Sequence, residues 1–241
     1  MDPTVVAQAT GDWAFVLDNA PYLLVGAVLT VVLTVVSMLL GFLVGFPAGI
    51  VEVYGGRVSR FVVEVVGIVL RGTPIVVILI FMYFVFSTPS LTLGLFDMSV
   101  TLSDAFIAGA LGLGLRSAAY QSQIFRGAIQ SVDEGQLEAA RSVGMSKFAA
   151  IRHVVVPQAL RRSIPGFQNE VTIVLKDTSV VFAIGLAELL TRSYDLFVRQ
   201  TTAVLEVVLF VSAIYFVLTF VTNRGLDFVG SYYEIPSGEQ A

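Results

Sequence analysis

The chain has 241 residues, 56% of them hydrophobic and only 13% charged, whereas an average soluble domain is about a quarter charged. That balance points to a bilayer protein with little material left over for a separate soluble domain. The net charge of −4 argues against a nucleic-acid partner, and with no cysteine there is no disulfide or thiol chemistry to find.

The first residues carry Asp2, Asp12 and Asp18 without any Lys or Arg. The basic region that opens a cleavable signal peptide is therefore missing, and the first apolar run is expected to stay in the mature protein. Five mostly apolar segments are long enough to cross a bilayer, near 22–53, 61–86, 104–125, 164–190 and 202–222. The first contains Gly41, Gly45 and Gly49, a four-residue repeat that puts bare backbone on one helical face for packing against a neighbour. Glu64 and Arg71 lie in the second, which is expected to break at Thr73-Pro74. The connection 87–103 is rich in Ser, Thr, Pro and Gly and has no Lys or Arg. The fourth span is placed after Pro165, the fifth closes at Asn223-Arg224, and the polar tail after Phe228 is expected to be poorly ordered.

Between the third and fourth spans the sequence stops resembling membrane. Ser131 followed by Glu134 is a capping-box signal for a helix start. Gly144 suits a left-handed residue after that helix, and Ser146 can cap a second one whose apolar positions are Phe148, Ile151 and Val155. Pro157 is expected to prevent simple continuation. The first helix offers a polar edge of Gln136, Glu138 and Arg141 beside Ala139 and Ala140, small residues that let another backbone come close. Its pattern is that of a docking knob.

Glu138-Ala139-Ala140, Gly144 four residues on and Pro157 after an apolar helix resemble the EAA loop of the membrane subunits of ABC importers. Longer pieces are similar to the permeases for polar amino acids: Arg71-Gly72-Thr73-Pro74, Ala119-Tyr120, Ile124-Phe125-Arg126-Gly127, Pro157-Gln158-Ala159-Leu160, Asn169-Glu170 and Leu175-Lys176-Asp177-Thr178-Ser179. An ordered series extending from about Tyr22 to Phe220 is far more specific than one short motif. The resemblance implies an all-α polytopic fold, the type I importer transmembrane domain. It implies one permease domain over 1–241, with residues 1–21 outside, a coupling loop at 126–163 and a tail at 226–241 in the cytoplasm. It also assigns Glu138, Ala139, Ala140, Arg141, Gly144 and Pro157 to the contact with a cytoplasmic ATPase.

Ionisable residues inside a span need a partner or a job. Arg71 and Glu170, beside Asn169, would offer one cation and one anion to a zwitterionic amino acid, and the break at Thr73-Pro74 would free backbone groups to line its path. The plain alternative is that Arg71 bridges structurally to Glu64 or Glu170. Lys176 and Asp177 read better as cross-helix bonds. Arg116 and Gln123 depart from the family pattern, and Gln123 puts in doubt the ion pair normally made beside Arg126. His153, the only histidine, has apolar neighbours and reads as a surface or packing residue.

The 54–60 turn, the 126–162 loop and Arg224 hold nine of the fourteen Lys and Arg residues. This bias puts the N-terminus outside and the C-terminus inside a multi-pass protein of the cytoplasmic membrane, although Arg192 and Arg199 run against it. Neither lysine follows a glycine, so the phosphate-binding loop of an ATPase is absent. The chain is expected to be no enzyme and to bind no cofactor, with ATP and Mg used by a partner. The partners implied are ATPase subunits, an extracytoplasmic solute-binding protein, a second permease copy or a homologue, the amino-acid substrate and lipid. An ABC permease for another small polar solute is the near alternative. An ion-gradient-driven secondary transporter is more distant, since no internal repeat appears.

Overall fold

The computed structural model of the chain describes residues 3–86, 90–95 and 98–233. Helix α1 (Pro3–Asp18) leads into the long α2 (Ala20–Tyr54), followed by α3 (Arg57–Gly72) and α4 (Ile75–Val85). Strands β1 (Leu91–Leu95) and β2 (Met98–Leu102) come next, then α5 (Asp104–Gln130), α6 (Glu134–Ser142) and α7 (Lys147–Ala150). A π-helical turn, Ile151–Val155, connects α7 to α8 (Val156–Asp177). A 3-10 stretch, Thr178–Ile184, precedes α9 (Leu189–Arg199), and α10 (Val204–Tyr233) closes the described chain.

Two stretches are long and apolar enough to cross a membrane by themselves, Ala20–Tyr54 and Thr201–Phe228, and α3 with α4 form a third candidate bent by 105°. The bend falls where Thr73-Pro74 was expected to break the second span, because proline has no N–H to continue the ladder. The 164–190 stretch departs from expectation. Its α-helix starts at Val156, runs through Pro165 and ends at Asp177. Gly185, at φ +73, turns the chain, and Glu188 caps α9. The 87–103 connection also carries structure, since Leu91–Leu95 and Met98–Leu102 pair antiparallel with Leu93 opposite Val100. At the ends, residues 3–18 form a helix, and α10 continues past Arg224. The tail beyond residue 233 lies outside the described residues.

The chain divides into two units. The first comprises Met1–Ser37, Pro74–Leu113 and Ile173–Val221. Its core packs Val16, Leu23, Leu189, Leu196, Val207 and Val211 from α1, α2, α9 and α10. Polar pins hold the ends of these helices. Asp12 accepts from Gln200 Nε2 at 2.6 Å and Thr202 Oγ1 at 2.9 Å, and Tyr22 donates to Asp195 at 2.6 Å. The Tyr22 ring also lies 4.4 Å from the Arg192 guanidinium. Arg192 and Arg199, the charges that opposed the orientation bias, thus belong to a structural cluster around one tyrosine.

The second unit comprises Met38–Thr73, Gly114–Thr172 and Thr222–Ala241. Its seam is α2 against α5, and here the glycine repeat has its reason. A Cβ on Gly45 would lie 2.6 Å from the Ala118 carbonyl oxygen, and one on Gly49 2.9 Å from that of Ser122. Only hydrogen fits. Beside the seam, Phe42, Phe46, Phe125 and Phe167 stack edge to face, with Phe125 almost fully buried.

Candidate functional site

The hairpin made by α6, α7 and the π turn belongs to the second unit. The cap of α6 is Asp133, whose side chain accepts from Gly135 N at 2.7 Å. Ser131, expected to cap it, instead donates to the Ala128 carbonyl at 2.8 Å, and its own carbonyl oxygen accepts from Arg162. A carboxylate one residue from Glu134 outcompetes the hydroxyl because charge also favours the helix N-terminus. At the other end Gly144 is left-handed, φ +88. Gly144 N donates to the Arg141 carbonyl and Met145 N to that of Ala140, the paired bonds of a Schellman ending. Ser146 caps α7 by accepting from Ala149 N at 3.2 Å, in keeping with the sequence pattern.

Pro157 does not end the helix. One residue earlier the ladder widens, and Val156 N bonds to the Ile151 carbonyl. Gln158 Nε2 also donates to the Val154 carbonyl at 3.0 Å. A π turn is a known way to carry a helix past an interrupted bond. α7 and α8 are in effect one element, and Pro157 sits exposed on it.

Within α6, Glu138, Ala139 and Arg141 face outward, whereas Ala140 is buried. The smooth outer patch is therefore Ala139 alone rather than both alanines. Two apolar residues that the sequence pattern did not single out as surface stand out at the tip: Val143 is 77% exposed and Phe148 72%. Of Phe148, Ile151 and Val155, the apolar positions at helical spacing, only Val155 is fully inside. Beside α6 lies a cavity of about 470 Å³ whose lining includes Tyr54, Gln130, Leu137 and the carboxylates of Asp133, Glu134 and Glu138. The base of the hairpin packs Ile129, Val132, Val155 and Leu137 against the end of α2, and Lys147 Nζ lies 5.8 Å from the Tyr54 ring. His153 is exposed, its Nδ1 2.9 Å from the Ala149 carbonyl.

The second candidate group lies along α5 in the same unit. Arg71 Nη1 donates to the Ala119 carbonyl at 2.7 Å, reaching back over Gly67. Two residues earlier, Ser117 Oγ donates to Glu170 Oε1 at 2.7 Å, and Glu170 is only 3% exposed. Gln121 Nε2 in turn reaches Ser117 at 3.0 Å and the Met38 carbonyl at 3.3 Å. The structure thus ties both Arg71 and Glu170 to α5, at positions two residues apart. Asn169, next to Glu170, is exposed. Thr73 bonds locally, donating to Val69 O at 2.7 Å, and Pro74 opens α4. Ser117 and Gln121 were missed by sequence reasoning, although two polar residues four apart in an apolar helix are a readable sign of one polar face. Arg116 lies 5.0 Å over the Tyr120 ring.

Gln123 does not leave Arg126 without a carboxylate. Its Nε2 lies 2.9 and 2.8 Å from the two oxygens of Glu52, and Arg126 Nη1 lies 3.3 Å from Glu52 Oε2 and 3.9 Å from Glu64 Oε1. Glu52, on α2, was not identified from the sequence.

Residues 37–231 match the model of the family described as "Binding-protein-dependent transport system inner membrane component". The glutamine transport system permease protein GlnP of Escherichia coli (strain K12) is 34% identical over 212 residues, covering 88% of this chain and 93% of that protein. The nopaline transport system permease protein NocM of Agrobacterium fabrum is 32% identical over 213 residues, covering 88% of each. A chain in the crystal structure of an amino acid ABC transporter with histidines superposes with a TM-score of 0.77 at 31% identity, covering 91% of this chain and 98% of that one. The fold is accordingly that of a type I ABC importer transmembrane domain, and the chain belongs to the family of binding-protein-dependent transport system inner membrane components, the membrane subunits of ABC importers.

Proposed function

We propose that this chain carries a polar amino acid across the cytoplasmic membrane by alternating access, driven by ATP hydrolysed in partner subunits that grip the α6–α7 hairpin. The observation that carries the reading is the hairpin itself. It is capped at both helix starts, turned at a left-handed glycine and anchored at its base, and it presents Glu138, Ala139, Arg141, Val143 and Phe148 outward. A rigid lever with an apolar tip and a charged flank suits a partner that must push without slipping. The names of the glutamine permease and of the amino acid transporter structure support an amino-acid cargo.

The hairpin side faces the cytoplasm in this reading, with the N-terminus outside and a solute-binding protein delivering cargo there. A second copy or a homologous permease completes the pathway. Closure of the ATPases on ATP draws the hairpins together and turns an inward-facing cavity outward, a change driven by the differential affinity of ATP for the closed state. Arg71 and Glu170, together with Asn169 and the Thr73-Pro74 break, border the path. Both charged groups are already hydrogen-bonded to α5, which holds them in fixed places before any ligand arrives.

The test is Glu138→Ala and Gly144→Asp in proteoliposomes carrying the whole transporter. Gly144→Asp places a side chain at φ +88 and a negative charge at the C-terminal end of α6, both unfavourable. Both variants are expected to insert normally while ATP hydrolysis no longer drives uptake. Wild-type uptake in both would refute this role for the hairpin.

A further inference from the structure

We propose that Glu52 is a positioning residue of the coupling apparatus: together with Gln123 and Arg126 it fixes the root of the hairpin against the end of α2. The inference rests on the hairpin being the ATPase contact. Arg126 stands four residues before Gln130, where α5 ends and the hairpin begins. Glu52 stands two residues before Tyr54, where α2 ends and where Lys147 of the hairpin lies over the ring. The carboxylate therefore joins the last turn of α2 to the last turns of α5.

The three charged groups are not equivalent. The Glu52 side chain is fully enclosed, whereas those of Arg126 and Glu64 are 37% and 39% exposed. Water can replace the partners of Arg126 and Glu64 but not those of Glu52, and a buried carboxylate stripped of its donors is costly. Glu52 is thus the fixed point, and both of its oxygens lie within 3 Å of the Gln123 amide nitrogen. Arg126, with one guanidinium between two carboxylates, favours Glu52 at 3.3 Å over Glu64 at 3.9 Å. If Glu52 loses its charge, Arg126 keeps only Glu64, and the root of the hairpin is drawn from α2 toward α3. Glu52 touches no cargo in this account and acts through the geometry of α5.

The experiment measures cargo taken up per ATP hydrolysed in proteoliposomes holding the complete transporter. Glu52→Gln is expected to lower that ratio roughly tenfold, the size of an ordinary coupling free energy, while ATP hydrolysis persists. The exchange Glu52→Gln with Gln123→Glu returns a carboxylate to the same contact from the α5 side and is expected to recover most of the ratio. A residue that matters only for stability would change yield and melting without changing cargo per ATP. A wild-type ratio in Glu52→Gln, or an exchange variant no better than the single one, overturns the proposal. Should the single variant not assemble, the exchange variant alone decides, and its inactivity once assembled also overturns the proposal. Failure of the hairpin reading is separate, since it appears as normal uptake in Glu138→Ala and Gly144→Asp.

Discussion

Glu188 and Glu52 are both buried carboxylates, one in each unit, and they differ in the kind of partner that holds them. Glu188 accepts from Leu190 N at 2.9 Å, Thr191 N at 2.7 Å, Thr191 Oγ1 at 3.0 Å and Tyr215 Oη at 3.1 Å. Those donors are neutral, and three of them lie within three residues in sequence, so the group is a helix cap that also pins α10. Its geometry is fixed by the local fold and moves with α9 as a piece. Glu52, by contrast, is held wholly by side chains of another helix, one of them charged and shared with a third. Such a contact depends on the spacing of α2 and α5, and its charge pattern is redistributed if that spacing changes. A cap of the first kind suits a part that must keep its shape, and a shared bridge of the second kind suits a joint.

The comparison is tested hardest at Glu188. Replacing it by Ala leaves two backbone N–H groups and the Tyr215 hydroxyl without their acceptor, and the expected loss is about 2–4 kcal/mol of stability. Glu188→Gln keeps one acceptor oxygen and should lose about half as much. Both are read as thermal unfolding of the purified protein in detergent. If Glu188→Ala melts like the wild type but alters cargo per ATP, the contrast between a static cap and a joint is wrong.

Gly45→Val has a smaller expected effect. The added side chain meets the Ala118 carbonyl on the α2–α5 seam, and overpacking of this kind costs about 1–3 kcal/mol. Beyond that cost, forcing α2 from α5 should separate Glu52 from Gln123, so the variant should show the same uncoupling as Glu52→Gln. A variant that loses stability yet keeps its full cargo-to-ATP ratio would show that the spacing of the seam does not govern the bridge.

The sequence made the frame legible where one residue type had one physical use. Gly144 and Ser146 marked the hairpin turn, Thr73-Pro74 the broken span and Gly41, Gly45 and Gly49 the close seam, because each depends on local backbone chemistry. It failed where neighbours compete or where the partner is distant in sequence. Asp133 displaced Ser131 as the cap, and a π turn carried the helix past Pro157. Residues 164–190 read as one apolar span, although Gly185 turns the chain within them. Most of the site was hidden for the second reason. Arg71 finds a backbone carbonyl 48 positions away, and Glu52 finds Gln123 71 positions away. No periodicity within one helix encodes such a meeting.

The finest division within the joint is between its two carboxylates. Glu64 is the weaker partner of Arg126, half-exposed and 3.9 Å away, and pairs of that kind contribute about 0–1 kcal/mol. Glu64→Gln should therefore leave both melting temperature and cargo per ATP nearly unchanged in the wild-type background. In the Glu52→Gln background the same change should matter, because Glu64 is then the carboxylate toward which Arg126 is drawn. Removing that pull should return part of the lost coupling, and the return should shrink at high salt, where the exposed pair is already screened. A double variant that is worse than Glu52→Gln alone would mean that Glu64 supports the hairpin root rather than competing for it. The joint would then be a three-way brace, and its charges would be held together instead of exchanged.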